Sequence, residues 1–171
     1  MLGAGLILAL IYCLLFSLGF VFSKLISYQS EVKLLSPIIN KTTKGQKSPP
    51  LSDLLNELWR GVHDKEIRFS GFVATGSPNA FITPGGAITV TSQLVQQSGS
   101  ENELSFVLCH ELGHFYYRHS LRGLFTNMFH GLFSYLVAGN FSNGLPKLAL
   151  LATSTQFSQN QEMKADEFAL D

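Results

Sequence analysis

Charged side chains are scarce, making up 14% of the 171 residues against about 25% in an ordinary soluble domain. Neither sign dominates, since 12 Lys and Arg face 12 Asp and Glu. That balance excludes a disordered polyelectrolyte and leaves no positive surplus for holding nucleic acid. Only two cysteines occur, Cys13 and Cys109. They are too few for a disulfide framework, and Cys13 lies in an apolar run unsuited to pairing. Internal repeats and low-complexity tracts are absent.

Apolar residues are what the chain has instead, at 46%. No charge interrupts Leu2 to Phe22, and a bilayer-spanning helix needs about 20 such residues. Residues 1–23 are therefore expected to form a single-pass transmembrane anchor, touching the lipid bilayer through residues 2–22. A cleaved signal peptide would want a basic start, which Met1-Leu2-Gly3-Ala4-Gly5 lacks; a buried core helix is the other alternative. Residues 24–50 read as a linker. Lys24, Lys33, Lys41, Lys44 and Lys47 fall there with Glu31 as the one acid, and lysines beside a membrane helix lean towards a cytoplasmic body. Thr42 to Pro50 reads as a loop.

Residues 51–171 read as one mixed helix-and-strand domain. Ser52 can cap a helix carrying Leu54, Leu55, Leu58 and Trp59. Ile67–Ala74 and Ala87–Thr91 are strand-like, and Pro84-Gly85-Gly86 signals a turn. After the break at Ser98-Gly99-Ser100, Glu101 to His119 is a strong helix candidate. Leu121, Leu124, Phe125, Met128, Phe129 and Leu132 then recur at helical spacing, which favours core packing over membrane-surface contact.

The chemistry sits at His110-Glu111-Leu112-Gly113-His114. At about 100° per residue, His110 and His114 lie about 40° apart on a helix and one turn along it. Both imidazoles can reach one metal ion. Glu111 is placed to address a water at that ion as a general base, while Leu112 faces the opposite way. Gly113 costs about 1 kcal/mol of helix propensity, so packing or access must favour it. A catalytic zinc site normally has three protein ligands and an open position. His119 would point about 180° from His110 if the helix continued, and His63 and His130 have no supporting pattern. Glu162 is the better third ligand. It shares a helix face with Asp166, which can accept the free ring N–H of a ligating histidine.

Three blocks now stand in order: Asn79-Ala80-Phe81 with Pro84-Gly85-Gly86; Glu103-Leu104 leading into the HExxH motif and Arg118-His119; and Glu162-x-x-Ala165-Asp166. Together they resemble the HtpX and CAAX-prenyl-protease family of membrane-associated zinc metallopeptidases, which are gluzincins. The resemblance implies an α+β, zincin-like fold with a small sheet beside the active-site helix. It implies one zinc ion per chain, held by His110, His114 and Glu162, with Glu111 as catalytic base and Asp166 behind the ligands. The expected function is membrane-anchored zinc metalloendopeptidase, acting on membrane-associated polypeptides, with quality control of membrane proteins as one role. A non-catalytic or truncated membrane protein keeping a structural zinc site is the alternative. Substrate is expected to add as a strand along Asn79, Ala80 and Phe81 up to Ile82, or along Ala87 to Val90. Relatives usually continue past the Glu-x-x-Ala-Asp helix to a His-Pro…Arg motif, whereas this chain ends at Asp171. The expectation is an incomplete cleft that binds zinc better than it cleaves.

Overall fold

The computed structural model describes residues 2–63, 66–138 and 157–170. Helix α1 spans Leu2–Leu25 and α2 spans Tyr28–Thr42. A two-residue strand β1, Gln46–Lys47, leads into α3, Pro49–Val62. Strands β2 (Ser70–Ala74), β3 (Ala80–Thr83) and β4 (Ala87–Thr91) follow, then the short α4, Ser92–Gln97. The chain continues through α5 (Glu101–Tyr116), α6 (His119–Ala138) and α7 (Gln159–Leu170).

The stretch expected as a linker is more structured than its composition suggests. Ser27 caps α2 by accepting the N–H of Ser30, and the helix runs on through Pro37. Lysines spaced along an exposed face had disguised this pattern, because solvated helix and solvated loop share a composition. Further along, the cap of α3 falls at Ser48 rather than Ser52. Pro49 and Pro50 suit the first helical positions, where no N–H is needed. Ser52 instead accepts the Gly71 N–H at 2.9 Å, tying α3 to β2.

The sheet has the order β1-β2-β4-β3, with β2 and β4 parallel and the other pairs antiparallel. Strand β4 is central and buried along its whole length, while β3 is an edge. Gly85 and Gly86 turn the β3–β4 hairpin with φ of +89° and +76°, a region that favours glycine. Ile82, Ile88 and Val90 pack beneath Leu55 and Trp59 of α3 and Leu108, Leu112 and Phe115 of α5. Leu112 is fully buried.

Helix α7 lies across α5 at Gly113. A Cβ there would sit 3.0 Å from the Ala165 Cα and 3.1 Å from the Phe168 Cβ. Glycine in the middle of α5 thus lets two helix backbones approach closely enough to share a site.

Among the described residues only the start of α6 joins a core, through Leu121 and Leu124; Met128 and Leu132 are exposed. Beyond that start the helix runs antiparallel along α1, with Phe22 against Phe125 and Phe129, and Tyr12 against His130 and Phe133. The core packing expected of the whole segment is limited to its first turns, because α1 supplies the partner for the rest. On α1, Leu6, Leu10 and Leu14 point outward and are exposed. Among the described residues no single helix is long and apolar enough to cross a membrane. Ala9–Leu25 and Tyr28–Thr42 pass that test only together, with a 106° bend between them.

Candidate metal centre

Helix α5 carries the two histidines one turn apart, and α7 brings Glu162 and Asp166 across from the other side of Gly113. Ser100 caps α5, accepting the Glu103 N–H at 3.2 Å. His110 Nε2 and His114 Nε2 lie 3.1 Å apart, and Glu162 Oε2 lies 3.3 Å from the first and 3.7 Å from the second. A tetrahedral ion with bonds of about 2.0–2.1 Å separates its ligand atoms by about 3.3 Å. These three atoms therefore already stand at ligand spacing. Two imidazoles and one carboxylate are also a donor set that zinc takes in catalytic sites. The residues fit the metal.

Each imidazole is held from behind. Asp166 Oδ1 lies 2.8 Å from His110 Nδ1, so the carboxylate accepts the ring N–H and leaves Nε2 free to ligate. His114 Nδ1 faces His119 Nδ1 at 3.0 Å. Phe157 lies flat on the His114 ring, with centroids 3.9 Å apart. Burial, then His110 and His119, depress the His114 pKa to about 3, so the imidazole is neutral, as a ligand must be.

His119 reaches this position because α5 ends earlier than the pattern of apolar residues suggested. Tyr117 caps the helix, and Arg118 adopts φ of 63°, the left-handed conformation. The chain reverses its register there, so His119 comes back towards His114 instead of pointing away. Arg118 is locked in place by an ion pair with the buried Glu31, a hydrogen bond to the Ile26 carbonyl at 2.8 Å and the Tyr28 ring at 3.5 Å. Glu31 also accepts the Gly85 N–H at 3.0 Å. No local signal marks Arg118 for a left-handed turn, and Glu31 read only as the lone acid of a lysine-rich stretch.

Glu111 is 8% exposed, and its Oε2 accepts the Ile82 N–H at 2.9 Å. Ser120 donates to the Ile82 carbonyl at 3.3 Å. Burial pushes the Glu111 pKa up to about 8; the Ile82 N–H works against this rise and the Glu162 charge adds to it. Ile82 lies on β3, so the carboxylate beside the metal cluster is anchored directly to the edge strand.

The structure separates the two expected substrate strands. Ala87–Val90 belongs to β4, flanked by β2 and β3, and has no open edge. Asn79 lies at the start of β3, bonded to Thr91 through its N–H and its carbonyl. Successive residues of a strand alternate sides, so Ala80, like Ile82, directs its backbone groups away from β4, and Phe81 directs its own towards it. His63 stacks on Trp59 and His130 meets Tyr12, both away from the metal cluster. Tyr117 stacks on His119.

A family model described as Peptidase family M48 matches residues 47–171. The chain belongs to peptidase family M48. It is also 28% identical over 130 residues to Metalloprotease LoiP of Escherichia coli (strain K12), an alignment covering 71% of this chain and 50% of that protein. This M48 chain thus spans about half the length of the curated relative it matches. The family match runs from the end of β1 through α7 and so includes His110, His114 and Glu162.

Proposed function

We propose that the chain is a zinc-dependent metalloendopeptidase anchored in a membrane. The observation that carries this reading is the convergence of His110, His114 and Glu162, whose ligand atoms all lie within 4.8 Å of one another, next to a buried carboxylate that takes no place in the ligand set. Zinc, when bound, would polarise the scissile carbonyl and acidify a water. Glu111 would receive that water's proton and deliver it to the leaving amine, the general acid–base role its position supports. Asp166 and His119 would hold the two ligating rings in the Nε2-free tautomer throughout.

Substrate would bind as an extended strand beside β3, where main-chain pairing makes few demands on sequence. Asn79, Ala80 and Phe81 form the start of that edge, with Ala80 offering its outward N–H and carbonyl. At Ile82 both outward groups are already engaged by Glu111 and Ser120. The register of a bound peptide is therefore anchored before Ile82.

The charge-free run from Leu2 to Phe22 and the exposed Leu6, Leu10 and Leu14 support an anchor through residues 2–22, and the lysines after it support a cytoplasmic active site. Polypeptides near the bilayer, including misassembled membrane proteins, are the substrates such an anchor favours. A structural zinc clamp is not favoured: among the described residues Glu162, His110 and His114 have no fourth protein ligand beside them, whereas closed structural sites have four. The test is proteolysis of an unfolded protein by the zinc-loaded chain and by Glu111→Gln. Equal zinc content with lost turnover is expected; turnover undiminished in the variant would sink the assignment.

A further inference from the structure

Behind His119 lies a cavity of about 750 Å³ between α1, α6 and α7. Its size falls within the range of about 300–1,000 Å³ typical of small-molecule pockets. The lining is unusual for a chain of zero net charge. Lys24 of α1, Arg122 of α6 and Lys164 of α7 all border it, and no carboxylate among the described residues does. Arg118 borders it too, but its charge is met by Glu31. Among the described residues the other three cations have no ion pair.

Their charged ends rest on aromatic rings instead. Lys24 Nζ lies 4.4 Å from the centre of the Phe20 ring, and Arg122 Cζ lies 4.9 Å from the same ring. Lys164 Nζ lies 5.7 Å from the centre of Tyr117. Two cations gathered on one ring repel each other, and a shared anion between them would reverse the sign of that interaction. Three helices distant in sequence each contribute one cation, so the cluster is a product of the fold and not of a local charge run.

The occupant has two chemical features. It carries an anion suited to a guanidinium fork flanked by ammonium groups, which is the chemistry of a phosphate. Phe16 and Phe20 of α1 form part of the wall, and on the same helix Leu10 and Leu14 are exposed, so an apolar tail has a surface to follow. An acidic peptide would match the charge and leave that apolar wall unused. We propose that this cavity binds a phosphate-bearing anionic group, with an anionic phospholipid headgroup as its source. Basic pockets between helices near a bilayer surface commonly take such headgroups. The lipid source rests on the proposed membrane anchor, while the inference does not depend on the metal centre.

The full chain in a neutral maltoside detergent is titrated calorimetrically with dihexanoyl phosphatidylglycerol, dihexanoyl phosphatidylcholine and inorganic phosphate. Saturable binding of the first at one site per chain is expected, weakened at least tenfold in Arg122→Gln/Lys164→Gln and absent for phosphatidylcholine. Lys24→Gln, a change at an exposed position, should weaken it several-fold and serves if the double variant does not fold. Failure of a hundredfold excess of phosphate to compete would identify the lipid source; full competition would support the phosphate chemistry with free phosphate as the source. Equal binding of phosphatidylcholine, affinity unchanged in folded variants, or preferential displacement by a glutamate-rich peptide would each overturn the proposal.

Discussion

His119 Nδ1 stands 3.0 Å from His114 Nδ1, on the side of the ring opposite His110 and Glu162. In the proposed site His114 bonds zinc through Nε2 and keeps its proton on Nδ1, which makes His119 the acceptor and His114 the donor. Burial, Lys164 and Arg122 lower the His119 pKa to about 4, which keeps that acceptor neutral near pH 7. The His114 ring is thus oriented by a neutral ring, where the His110 ring is oriented by a carboxylate.

His119→Ala should therefore reduce zinc affinity by about 10- to 100-fold, the usual effect of removing a partner behind a ligand. His119→Gln, whose amide oxygen can accept the same proton, should recover part of the loss. Competition with a chelator at pH 7 measures both. Wild-type affinity in a folded His119→Ala chain would show that the contact does not orient the ligand.

The close approach at Gly113 predicts a conflict between helix stability and site geometry. Alanine there gains about 1 kcal/mol of helix propensity. Its Cβ would lie 3.0 Å from a backbone carbon of α7, and overpacking of this kind costs about 1–3 kcal/mol. The backbone of α7 cannot rotate aside as a side chain can, so the overpacking should win. Gly113→Ala should be destabilised in denaturant melts and should bind zinc more weakly, because displacing α7 moves both Glu162 and Asp166. An unchanged zinc affinity would mean that α7 absorbs the methyl without moving its ligand.

How far the sequence disclosed this arrangement depends on which features are local. His110 and His114 share a face through the helical period alone, and Glu162 and Asp166 likewise, so their meeting required only that the two helices pack. Gly113 marks where they do. His119 was illegible, because its position follows from the left-handed Arg118, and Arg118 is fixed by Glu31, 87 residues away. The choice of β3 as the open edge was hidden for a similar reason. Placing β4 between β2 and β3 requires a parallel pairing that no hairpin signal announces. Helix α2 was concealed by Pro37 and by lysines that suit a loop equally well.

The Glu31–Arg118 pair supplies a third prediction. Glu31 is 1% exposed and its pKa is raised, chiefly by burial. Removing one member of such a pair strands the other's charge and costs about 3–5 kcal/mol. Arg118→Gly relieves a left-handed residue, worth about 1–2 kcal/mol, so the net effect should still be destabilising. Glu31→Gln combined with Arg118→Met should lose less than the sum of the single variants. Additive losses in denaturant melts would show that the two side chains act independently.

The last prediction concerns pH and Glu111. Its pKa of about 8 in the metal-free fold exceeds the ordinary 4.5, so the folded chain holds a proton that the unfolded chain has released. That contribution is complete below about pH 4.5 and is lost as pH rises to about 8. His114 and His119 act in the opposite sense. Their folded pKa values of about 3 and 4 lie below the ordinary 6.5, so the stability they confer is present above about pH 6.5 and is lost as pH falls. Between about 6.5 and 8 Glu111 acts without the histidines, and Glu31, whose pKa is also raised by burial, works in the same sense; the Glu111 share has a limiting slope of about 1.4 kcal/mol per pH unit. Metal-free wild type should lose stability across that window and level off above it. Glu111→Gln, neutral at every pH, should show a smaller decline and be more stable than wild type at pH 8. Zinc should also reduce the decline, because a bound cation favours the ionised carboxylate beside it. Urea midpoints in chelator at pH 6.5, 7.2 and 8 make the comparison. An undiminished decline in Glu111→Gln would assign the titration to another group and remove the desolvated carboxylate from the account of this site.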